Sequence, residues 1–127
     1  MKLAGAVSRY FLGLMFLIFG LNDFLNFIPA KMPPGRAGEF AGLLLSSHYV
    51  WAVGAVMVVS AILFLINRYV ALALVLLGPV LVNILLFHIL FLPAGIAMGL
   101  FATLLWLLIF WQHRAAFAGI FAPKMIE

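Results

Sequence analysis

The chain has no cysteine, so it contains no disulfide, no thiolate metal centre, no iron–sulfur cluster and no dithiol relay of its own. Charge is almost as scarce. Seven lysines and arginines and three carboxylates amount to 8% of 127 residues, with a net charge of +4. The basic residues are scattered one or two per segment end and form no patch, which argues against nucleic acid as a partner. Walker-type loops, HExxH, GxSxG and paired carboxylates are missing as well, so hydrolytic and nucleotide chemistry have no support and no stand-alone catalytic activity is expected. Internal repeats and low-complexity tracts are also absent.

What fills the chain is hydrocarbon: 69% of residues are hydrophobic and mean hydropathy is +1.33, which places it among integral membrane proteins. A span needs roughly 20 residues to cross about 30 Å, so 127 residues hold one domain of about four spans and no sizeable soluble domain. Four apolar runs answer to this, at 10–28, 49–66, 69–92 and 94–111. Pro29, Pro33, Pro34 and Gly35 open the loop after the first, Asn67 and Arg68 make a tight second break, and Pro93 with Gly95 make the third. Short loops join antiparallel neighbours. The expected fold is therefore an all-α integral membrane protein, an antiparallel four-helix transmembrane bundle forming a single domain over 1–127. Within the long first loop, 29–48, Ala37, Phe40, Leu43 and Leu44 recur at helical spacing beside Arg36 and Glu39, which predicts a short interfacial helix capping the bundle.

Arg9 interrupts the early apolar run and no small-residue cleavage pattern follows, so the first span is expected to be retained rather than removed as a signal peptide. Lys2, Arg9, Arg68, Arg114 and Lys124 fall on one side of this topology, Lys31 and Arg36 on the other, which sets both termini in the cytoplasm. Tyr10, Tyr49, Trp51, Tyr69, Trp106 and Trp111 lie near span ends, as interfacial aromatics do.

With that orientation the polar side chains concentrate outward. Asn22, Asp23 and Asn26 share one helical sector in the outer third of span one, His88 is near the outer end of span three, and Asn83 lies deeper, one turn after Pro79. Ionisable groups at such depth are functional candidates by default. These five are the candidate ligand-binding residues, with Arg36, Glu39 and His48 as candidate outer-cap residues. The alternative is a set of interhelical hydrogen bonds without a ligand. Arg9, Asn67, Arg68, Gln112, His113 and Arg114 sit at inner segment ends and are expected to snorkel to headgroups. His48 and His113 do not match the depth of His88, so neither haem nor another metal is expected and no cofactor is required. Ser60 and Thr103 are expected to bond back to their own helices, which leaves no polar path across both leaflets and disfavours transport. Gly13 with Gly20, and Gly95 with Gly99, mark close helix packing, and Pro79 a kink.

The run Phe19-Gly20-Leu21-Asn22 with Phe24-Leu25 and Phe27-Ile28-Pro29, then Asn67-Arg68-Tyr69-Val70 with Ala73-Leu74, then Pro79, Asn83-Ile84 and Phe87-His88, resembles the DoxX-like family of small bacterial four-helix membrane proteins. The resemblance spans most of the chain. It implies a four-helix bundle in the bacterial cytoplasmic membrane and, as in some relatives, an association with quinone-linked sulfur or thiol oxidation. Relatives often carry a basic residue where Asp23 stands and a glutamate near Met57, Val58, Val59 and Ser60, so catalytic roles are not carried over. Two functions follow as expectations: a redox-associated protein holding a quinone or another small amphiphile in an outer-leaflet pocket, or a non-catalytic accessory subunit. Its partners would then be the lipid bilayer with other membrane subunits or further copies of itself.

Overall fold

Hydrophobic burial cannot pack four uniformly apolar helices selectively in lipid, so close backbone approach has to do it. The closest pairing joins α1 (Lys2–Leu25) to α3 (Tyr49–Ile66), and glycine lines the seam. A β-carbon on Gly20 would stand 3.1 Å from the Gly54 carbonyl, and one on Gly54 would stand 3.0 Å from that of Gly20. Further along, Gly13 faces Leu65 and the Ala61 carbonyl. The structure, a computed structural model, describes residues 2–29 and 31–124. The expected 1–127 domain and 29–48 loop also include positions 1, 30 and 125–127, which lie outside the described residues.

A short helix, α2 (Arg36–Ser46), precedes α3, and α4 (Val70–Phe91) follows it. A 3-10 turn, Pro93–Gly95, then leads into α5 (Ile96–Gln112), and a second, Arg114–Phe117, follows. No strand occurs among the described residues. Four of these segments are long and apolar enough to cross a membrane: Lys2–Leu25, Tyr49–Ile66, Val70–Phe91 and Pro93–Gln112. They close into a ring, α1 on α3, α3 on α4, α4 on α5 and α5 on α1. Leu12, Phe16, Phe64, Leu74, Leu77 and Ile109 fill its core, and leucines and valines such as Leu14, Leu72, Val82 and Leu104 cover its outer surface. A chain apolar inside and outside is a membrane protein's partition, here a multi-pass one.

The segment ends are closed by left-handed residues. At the end of α3, Asn67 (φ 56°) donates its N–H to the Phe64 carbonyl and Arg68 donates to Leu63, a Schellman closure with asparagine in glycine's usual place. Tyr69 is left-handed too, at φ 55°, so the chain reverses within three residues. Across the bundle, Trp106 Nε1 donates to the Leu74 carbonyl at 3.0 Å, close to the turn where Pro79 lacks an N–H. This corrects the reading of Trp106 as an interfacial aromatic: it lies within α5, partly buried, and stacks on Phe110 at 5.4 Å. Phe110 in turn meets the buried Phe117 at 4.9 Å, which folds the segment after α5 onto this end of the ring.

On the first connection, α2 docks through the buried Ala37 and through Phe40, which stacks on Phe87 at 5.8 Å and Phe91 at 5.5 Å in α4. Leu43 was expected on the same face but is 66% exposed.

Candidate functional site

The polar run at the end of α1 serves first to stop the helix. Asn26 takes φ 50° and returns its N–H to the Asn22 carbonyl at 2.9 Å, a left-handed cap. The Asn22 side chain then treats Ile28 as a strand partner: Oδ1 accepts the Ile28 N–H at 2.7 Å and Nδ2 donates to the Ile28 carbonyl at 3.2 Å. One side-chain amide thus satisfies both backbone groups of a residue beyond the helix. Asp23 lies half-buried between them, its Cβ and Oδ2 packed on Gly54, where any β-carbon would collide with it.

The other expected site residues separate from this group. Asn83 is exposed on α4 and its Nδ2 donates to the Pro79 carbonyl at 2.8 Å, so it faces away from the ring and bonds its own helix. The expected convergence of Asn22, Asp23, Asn26, Asn83 and His88 on one pocket is therefore not what the fold builds. Arg36 and Glu39 are exposed in the first turn of α2, and His48, exposed and left-handed at φ 62°, packs its ring at a tilt against Trp51, with centroids 4.3 Å apart. Trp51 also meets Phe24 at 6.1 Å, so His48 belongs to an aromatic rim.

His88 takes a different position. It lines a partly open cavity of about 200 Å³ to which all four long helices contribute. Met15, Met57 and Met98 bring thioethers to it from α1, α3 and α5, and Phe16 and Phe19 bring rings from α1. Ile84, Gly99 and Ala102 complete the wall, and His88 is its one polar side chain. Of the five expected site residues, His88 is the one that reaches this space. Its ring is admitted by Gly95: a β-carbon there would lie 2.9 Å from Cε1 and 3.0 Å from Nδ1. Nδ1 is 3.3 Å from the Leu92 carbonyl, which only accepts, so in the neutral imidazole Nδ1 carries the proton and Nε2 is the acceptor. Neither His48 nor His113 lines this cavity. Ser60 and Thr103 bond back to Val56 and Gly99 at 2.8 and 2.7 Å, as expected.

A second polar centre was missed in the sequence. Arg9, expected to snorkel outward from a segment end, is 8% exposed and donates from Nη1 to the Phe64 carbonyl, with Cζ 4.4 Å from the Tyr10 ring centroid. Arg9, Lys2, Ala6, Asn67, Gln112 and His113 line a cleft of about 290 Å³. His113 Nδ1 donates to the Ile109 carbonyl at 3.0 Å. The arginine's placement follows from the Schellman turn, which points the last carbonyls of α3 at α1, where a cation is favoured by the helix dipole. A local signal was present: the small residues Gly5, Ala6 and Ser8 precede Arg9 and leave room for a neighbouring helix end. Comparison with protein-family models, with curated proteins and with solved structures gives no match to this chain.

Proposed function

We propose that this chain is a DoxX-like, redox-associated protein of the bacterial cytoplasmic membrane whose His88 cavity holds the ring of a quinol or a similar small amphiphile. The observation that carries the reading is the cavity itself: partly open, lined from all four long helices, walled by thioethers and aromatic rings, and provided with one hydrogen-bonding side chain. An apolar cavity of about 150 Å³ accommodates benzene, and whole drug-sized ligands occupy about 300–1,000 Å³. At about 200 Å³ this cavity suits a substituted ring whose tail stays outside among helices and lipid. Methionine suits such a wall, since its flexible thioether adapts to a flat ring and makes favourable contacts with aromatics.

The tautomer that the Leu92 contact favours in neutral His88 selects among ligands. With Nδ1–H on Leu92, Nε2 accepts a hydrogen bond, so a hydroxyl-bearing ring is favoured over a ring carrying carbonyls alone. The helices cross the bilayer antiparallel in this reading. Pairing of Arg9 near the start of α1 with Phe64 near the end of α3, and of His88 near the end of α4 with Gly95 before α5, supports that arrangement. Both termini lie in the cytoplasm and α2 rests at the outer interface, its exposed Arg36 and Glu39 toward headgroups. Gently purified protein, extracted and analysed by mass spectrometry, should yield a quinol or related amphiphile that His88→Ala loses. Wild-type protein that carries none and takes up none on addition of a short-chain quinol would sink the reading.

A further inference from the structure

The cleft at the Arg9 end shares no lining residue with the His88 cavity and has the opposite chemistry. Two fixed cations, Lys2 and Arg9, a histidine, and the amides of Asn67 and Gln112 surround about 290 Å³. The two carboxylates among the described residues are remote: Asp23 lies fourteen residues further along α1, about 21 Å of helix, and Glu39 is exposed on α2. A buried guanidinium whose charge meets no carboxylate in its cleft calls for an anion from outside the described chain. The Phe64 carbonyl accounts for one hydrogen bond and supplies a partial charge, while a guanidinium offers five N–H groups in a planar fork. The fold also makes room for the neighbours. A β-carbon at Gly5 would overlap the Gln112 Oε1, so glycine there lets the Gln112 side chain lie across α1 beside the cleft.

We propose that the cleft of Lys2, Arg9, Asn67, Gln112 and His113 binds a phosphate group, presented by an anionic lipid headgroup or as free phosphate. Tetrahedral oxyanions match this donor set: a planar guanidinium fork, a mobile ammonium and the amide N–H donors of Asn67. Its volume admits a phosphate with its hydration or a glycerol attached, and it lies at a helix end, where a membrane protein meets headgroups.

The test uses the full-length protein in neutral detergent micelles, followed by thermal unfolding. One arm titrates phosphatidylglycerol against phosphatidylcholine. The other titrates inorganic phosphate against chloride at equal ionic strength. A midpoint raised by phosphatidylglycerol and left unmoved by inorganic phosphate identifies a lipid headgroup; a rise with inorganic phosphate identifies the free ion. Lys2→Gln alters an exposed side chain, leaves the fold intact, and should weaken the response about fivefold. Arg9→Gln should abolish it, and because that variant risks the fold, Lys2→Gln carries the decision. No anion-selective rise in the wild type, or equal responses in wild type and Lys2→Gln, would overturn the proposal.

Discussion

The His88 cavity meets α1 in its second half, at Met15, Phe16 and Phe19, and the Arg9 cleft meets it in its first half; the contrast between them shows how helix termination sets the chemistry of a small membrane bundle. At the His88 end, α1 is closed by its own residues: Asn26 caps the helix and Asn22 pairs with Ile28, so these polar groups are consumed locally and the space between the helices stays apolar. At the Arg9 end, α3 stops in a Schellman turn whose Phe64 carbonyl accepts both the Asn67 N–H and, from α1, the buried Arg9 guanidinium. As proposed, the first region takes a flat hydroxyl-bearing ring and the second an anion. A conspicuous polar cluster can be spent on backbone while a solitary charge is kept for use.

That contrast can be broken most forcefully at Arg9. Arg9→Leu removes the hydrogen bond to Phe64 and should cost about 2–3 kcal/mol in reversible unfolding measured in micelles. A loss below about 0.5 kcal/mol is what a surface charge would give, and would return Arg9 to the role of a snorkelling residue. At the other end Asn22→Ala removes both bonds to Ile28 and should cost about 1 kcal/mol, while Asn22→Asp keeps the acceptor for the Ile28 N–H and should cost less. Smallest is Asn83→Leu. This exposed residue bonds its own helix, so replacement should shift stability by less than about 0.5 kcal/mol; a loss comparable with that of Asn22→Ala would mean that Asn83 meets another helix after all.

Much of the helical frame was legible. The run 49–66 coincides with α3, 69–92 with α4 to within one residue at each end, and the period of Ala37, Phe40, Leu43 and Leu44 anticipated a helix at α2, though Leu43 faces out, because apolar runs and proline breaks act locally. The first span was misjudged at its start. Arg9 seemed to mark a boundary at 10, yet α1 begins at Lys2, since a charge is tolerated inside a span when a carbonyl from elsewhere accepts it. That partner lies 55 residues away and is backbone, which no side-chain pattern reveals. Of the candidate ligand residues His88 reaches the cavity, whereas Asn22 and Asn26 share a helical sector but are turned to loop closure once α1 ends at Leu25. Methionine is too common a core residue for Met15, Met57 and Met98 to stand out in sequence, although the fold gathers one from each of three helices around His88.

The most direct test of the His88 cavity as the ligand site is equilibrium binding of a short-chain quinol to detergent-solubilised wild type and Ala102→Leu. Ala102 is 2% exposed and lines the cavity, so leucine there fills the space without touching His88 chemistry or the Arg9 cleft. The account predicts saturable binding at one site in the wild type, weakened by at least about tenfold in Ala102→Leu. Equal quinol affinity in the two proteins, both folded, would contradict it.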